Sequence, residues 1–138
     1  MKLCAYALMM ICLVPGCFVY TDDPYPVDPD PTINSFGFYW FFELPNGDIT
    51  DSCSLADVAR VDVLVYYDGD LEYAVYDRPC GDMGLDLYDF FRGWYEIQLI
   101  AYCPLGVATH EALYESVWID RGHNELGDLV LDYLGPCS

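Results

Sequence analysis

Positive charge is almost missing from this sequence. Lys2 is its only lysine, and four arginines (Arg60, Arg78, Arg92 and Arg121) stand against 23 Asp and Glu. A formal charge of −18 repels phosphates and anionic headgroups, which disfavours nucleic acid or a membrane surface as a partner. Familiar catalytic signatures are missing too. There is no G-x-S-x-G, no H-E-x-x-H, no glycine-rich phosphate loop, and no lysine beyond Lys2 for Schiff-base chemistry. With 23 acids, close carboxylate pairs arise by chance, so they carry no argument for acid–base catalysis. No C-x-x-C spacing and no closely spaced histidine pair is present, which argues against zinc. His110, at a loop-to-strand junction, and His123, in a turn, read as exposed polar residues. Sustained helical periodicity is also lacking.

Apolar residues make up 54% of the chain and aromatics 17%, far too much for a disordered polyanion. The first apolar stretch is short. Met1-Lys2 is followed by about a dozen apolar residues, the plan of a secretory signal and well short of a membrane span. It ends at Val14-Pro15-Gly16-Cys17. This segment resembles the lipobox of bacterial lipoproteins, with Pro15 and Val14 departing from the commonest pattern. The resemblance implies cleavage after residue 16, a lipidated Cys17, attachment to a membrane through that lipid, and residence in the bacterial cell envelope. Residues 1–16 are then the signal peptide and 17–33 a tether. The domain is 34–138.

Within the tether, Pro24, Pro26, Pro29 and Pro31, interspersed with aspartates, block helix and sheet ladders and favour extended polyproline geometry. From Asn34 the signal is period two. Phe36, Phe38, Trp40, Phe42 and Leu44 alternate with Gly37, Tyr39, Phe41 and Glu43. Val61, Val63 and Val65 make a second strand, and Asp68-Gly69 is a two-residue hairpin signal into a third over 70–76. Further strands are expected near 85–88, 94–103, 112–119 and 127–133, with one helical turn near 54–59 capped by Ser54. The fold class is therefore all-β, a seven-stranded antiparallel sandwich of Ig-like or transthyretin-like plan. The run Phe91-Arg92-Gly93-Trp94-Tyr95-Glu96-Ile97 is similar to the turn-Gly-x-Tyr-x-aliphatic signature of fibronectin type III, transthyretin-like and carboxypeptidase-regulatory-like sandwiches. That resemblance implies a glycine that allows the turn and a tyrosine packed where the next strand begins.

Alternating strand direction sorts the loops. The tether enters at a near pole with the turns at 68–69, 89–93 and 120–124, while loops 45–60, 77–84 and 104–111 and the C-terminus collect at a distal pole. Cys53, Cys80, Cys103 and Cys137 all fall there, an even number suited to an oxidising compartment. The hairpin sets Arg60 opposite Asp77 and brings Cys53 and Cys80 near its base. Of the three possible connectivities, this favours Cys53–Cys80 with Cys103–Cys137.

A binding site is expected on the longer distal loops. Asp48, Asp51, Asp57 and Asp82 are candidate calcium ligands there, weighed against solvated turn aspartates; no other cofactor is implied. A row of Tyr39, Tyr66 and Tyr76 is a candidate for stacking on sugar, weighed against cross-strand packing. The expectation is a non-catalytic surface or interaction module meeting an envelope protein or polysaccharide. A carbohydrate- or calcium-binding module is the alternative, and a small hydrolase comes third.

Overall fold

A computed structural model describes residues 34–138. The signal, Cys17 and the tether lie outside the described residues. The chain forms β1 (Ser35–Glu43), β2 (Ile49–Thr50), a one-turn helix α1 (Cys53–Ala56), β3 (Arg60–Tyr67), β4 (Asp70–Pro79), a 3-10 turn (Cys80–Asp82), β5 (Gly84–Tyr88), β6 (Gly93–Tyr102), β7 (Ala108–Ile119) and β8 (His123–Tyr133). The expected seven strands are all present, and β2 is a two-residue addition. None of these helices is long and apolar enough to cross a membrane.

Period-two alternation explains the layers. On β1, Phe36, Phe38, Trp40 and Phe42 are buried, while Tyr39 faces water. On β3 and β6 the buried sets are Val61, Val63 and Val65, and Tyr95, Ile97, Leu99 and Ala101. These faces oppose one another to form one hydrophobic core. The first sheet holds β1 between β8 and the short β2 and β5; the second runs β4-β3-β6-β7. They join at a corner where only His110 and Glu111 of β7 pair with Tyr133 and Asp132 of β8. Beyond it the strands part. The Tyr114 hydroxyl fills the gap, donating to the Val130 carbonyl at 3.1 Å and accepting from the Val130 N–H at 2.8 Å.

One pairing departs from a wholly antiparallel plan: β1 and β8 run parallel. Consecutive reversals leave the first and last strands pointing the same way, so placing them side by side forces it. The helix also starts earlier than expected. Its N-cap is Ser52, whose Oγ accepts from the Leu55 N–H at 3.3 Å. The β3–β4 register differs more consequentially. Two bulges shift it, so Arg60 lies opposite Pro79 rather than Asp77. Asp77 sits in the bulge with φ of 58°, its N–H bonded to Asp62 Oδ1 at 2.8 Å. Arg60 still reaches Asp77 diagonally, Nε to Oδ1 at 2.8 Å.

The two poles form as strand alternation requires. Asn34 meets Phe90 and Gly122 at the near pole, and the chain folds back between Cys103 and Val107 at the distal one. Both disulfides are distal, Cys53–Cys80 with Cα atoms 6.0 Å apart and Cys103–Cys137 with 5.8 Å. The first is tied to the core, because the Trp40 indole N–H donates to the Cys80 carbonyl at 3.2 Å.

His110 is a correction of a different kind: it is fully buried, not exposed. Its ring packs against Phe42 and Tyr133, with centroids 5.3 and 5.5 Å away. Nε2–H donates to the Glu43 carbonyl at 3.0 Å, and Nδ1 accepts from the Thr109 hydroxyl at 3.0 Å. That arrangement satisfies a neutral imidazole. Burial holds the pKa below the ordinary 6.5, against the smaller opposing pull of Glu43.

Two outcomes follow. The disulfides close segments of 27 and 34 residues, so each should contribute about 3–4 kcal/mol through the unfolded chain. Paired Cys-to-Ala replacement at either bridge should lower the urea unfolding free energy by about that amount with native circular dichroism retained. For His110, a folded pKa below the unfolded value means the unfolded chain binds the proton first as pH falls. Its contribution is thus complete above about pH 6.5 and is lost as pH falls through the folded pKa. Unfolding free energies from about pH 7.5 to about pH 5 should fall more steeply for wild type than for His110→Gln.

Candidate functional site

The sequence-derived acid candidates do not converge. Asp48 closes the β1–β2 turn with Asn46, whose amide donates to its carboxylate at 2.8 Å. Asp57 is the left-handed C-cap of α1 with φ of 56°. Asp82 pairs with Arg78 at 2.8 Å, and Asp51 is exposed between β2 and α1. Among the described residues, no group of three or more His, Cys, Asp or Glu is arranged to hold a metal ion. The tyrosines do not form a row either. Tyr39 lies on the β1 sheet, whereas Tyr66 and Tyr76 lie on the other.

A different aromatic group comes together at the near pole, on the outer face of the β4-β3-β6-β7 sheet. Trp94 is the second residue of β6 and Trp118 nears the end of β7, and the register sets them directly opposite. Their ring centroids are 5.0 Å apart and the planes are inclined by 56°. Both face water, at 59% and 39% exposure, because alternation commits their neighbours Tyr95 and Ile119 to the core. Arg92 lies 5.7 Å from the Trp118 ring and bonds Asp120 through Nε at 3.3 Å. With Tyr66, Glu96 and Ser116 these side chains line a cleft of about 690 Å³.

Two local devices shape its walls. Opposite Glu96, β7 carries an extra residue, and Ser116 in that bulge has φ of 61°. Serine rarely adopts this conformation, and a bulge re-aims the side chains around it. Beneath the cleft, the Tyr95 hydroxyl donates to the Phe91 carbonyl at 2.8 Å, while its ring meets Tyr67 and Phe90. Loss of solvent, reinforced by Tyr67 and Glu72, pushes the Tyr95 phenol up to about 12, so it remains a neutral donor. Gly93 serves this packing rather than the turn. Its φ is not positive, but a Cβ there would come within 3.1 Å of the Tyr67 ring.

A second concavity of about 530 Å³ lies on the opposite sheet beside His123. His123 Nδ1 meets Ser35 Oγ at 2.8 Å, and its Nε2 meets Glu125 Oε1 at 2.8 Å and Asp86 Oδ1 at 3.9 Å. Ser35 is itself buried under 7% exposure, so the chain of contacts reads as a clasp between β1 and β8.

The sequence reading singled out neither tryptophan. The available signal was positional. Trp94 and Trp118 each stand next to a core residue at the end of a strand far from the β6–β7 loop, and two shifts of register bring them opposite one another. Compared with known proteins, the chain matches no family model and no curated protein.

Proposed function

We propose that this chain is a lipid-anchored, extracytoplasmic β-sandwich of a bacterial cell envelope, acting as a non-catalytic surface or interaction module. The observation that carries the reading is the use of cysteine. Cys53, Cys80, Cys103 and Cys137 are all consumed in two disulfides, which suits an oxidising compartment. That leaves Cys17, after its signal-like apolar run, as the one cysteine outside both the signal and the bridges. Lipid on Cys17 would attach the domain at its near pole through residues 18–33, with the stapled distal loops turned away from the bilayer.

Partner recognition in this reading belongs to the sheet surfaces and loops rather than to a reaction centre. The outer face of the β4-β3-β6-β7 sheet exposes Leu71, Tyr76, Trp94 and Leu113, apolar side chains that a partner could cover. The acidic remainder keeps the domain soluble and holds it off anionic headgroups.

Expression in a bacterial host with radiolabelled palmitate tests the anchor. Wild type should carry label and sediment with membranes; Cys17→Ser should lose the label and appear in the soluble fraction. A wild-type protein that is exported but unlabelled, or whose mature N-terminus is not Cys17, would refute the anchor.

A further inference from the structure

We infer that the near-pole cleft between Trp94, Trp118 and Tyr66 binds a neutral pyranose unit of a polysaccharide. This inference stands apart from the anchor, and either can fail alone.

A pyranose ring presents a face of C–H bonds and a rim of hydroxyls, so a site for it needs exposed aromatic surface with polar groups at the edges. The cleft has that composition. Trp94, the more exposed of the pair, offers a ring face, and Trp118, inclined by 56°, closes one side. Around them stand the Glu96 carboxylate as acceptor, the Arg92 guanidinium as donor and the Ser116 hydroxyl as either. Arg92 is already held by Asp120 and lies over Trp118, so little freedom remains to be lost on binding. A volume of about 690 Å³ lies within the range of roughly 300–1,000 Å³ common to small-molecule sites.

Three further observations narrow the ligand. Asp68 and Glu96 line the cleft, Asp120 lies beside it, and the whole chain carries −18, so uronates, sulfated glycans and polyphosphates are repelled. The hydroxyl at position 116 is kept at a conformational cost. Glycine fits φ of 61° without strain, yet the chain has serine there. Lastly, Tyr66 is tied through Gln98 to Glu111 by bonds of 3.2 and 2.7 Å, which fixes the floor of the site across β3, β6 and β7. Strands β3, β6 and β7 thus position Tyr66, Trp94, Glu96, Ser116 and Trp118, while Asp68 and Arg92 come from the flanking turns.

The chain's three tryptophans make the test direct, because Trp40 is fully buried and only Trp94 and Trp118 face a ligand. The purified exported chain is titrated with cellohexaose, maltohexaose and chitotetraose while indole emission is followed. At least one should give a saturable change at about millimolar affinity. Trp94→Ala should weaken that binding by about tenfold or more, and Trp118→Ala should weaken it too. Ser116→Gly should raise the Tm while weakening binding, a combination that damage to the fold does not produce. Tyr39→Ala, on the other sheet, should bind as wild type does. No saturable response to any of the three sugars would overturn the site. So would binding that survives Trp94→Ala.

Discussion

A buried tryptophan must satisfy its one N–H without water, and the architecture turns on how Trp40 does so. Its indole lies between the two sheets, with no exposed surface, and donates to the carbonyl of Cys80. That carbonyl belongs to the 3-10 turn after β4, which the disulfide from Cys53 holds in place. An unpaired buried N–H costs about 1–3 kcal/mol, so the position of this turn and the packing of the largest core side chain depend on each other. The link crosses between layers, since Trp40 is on the β1 sheet and the turn leaves β4 of the other. Hydrophobic burial is indifferent to small slides of one sheet over the other; the indole bond and the staple beside it fix the registry together with the β7–β8 corner and the Cys103–Cys137 bridge.

The acidity takes on a different meaning once the backbone is seen. Of the six non-glycine residues with positive φ among the described residues, four are aspartates: Asp57, Asp68, Asp77 and Asp89. They cap the helix, open the hairpin turn, form the β4 bulge and begin the β5–β6 loop. Asp tolerates this conformation because its short side chain bonds locally to backbone. These four of the 23 acids are therefore turn chemistry, spread over both poles.

Strand positions were legible because burial on one face imposes period two, and β1, β3 and β6 show it cleanly. Loop polarity followed from strand count, and cysteine pairing from the hairpin at Asp68-Gly69. What could not be read was anything set by an extra residue. Two bulges move Arg60 from Asp77 to Pro79, and a third lifts Ser116 into the aromatic cleft, yet none has a glycine to mark it. His110 was misjudged because a polar residue beside a loop is usually wet. The corner between the sheets, where Glu43, Thr109 and Tyr133 meet it, is visible only in three dimensions. The tryptophan pair was within reach, since each borders a core residue, but its cross-strand register depends on the β7 bulge.

The parallel pairing of β1 and β8 has a mechanical consequence. Asn34 and the chain's other end lie at opposite poles, so tension between them runs along the strand axes. Ladder bonds lie across that direction, and the rungs from Ser35 to Phe42 are stressed together rather than peeled in succession. At the far end, Cys137 passes part of the pull covalently to Cys103 at the end of β6, in the other sheet. Force applied at the two termini is therefore shared across both layers, in shear, the direction in which a sandwich yields last.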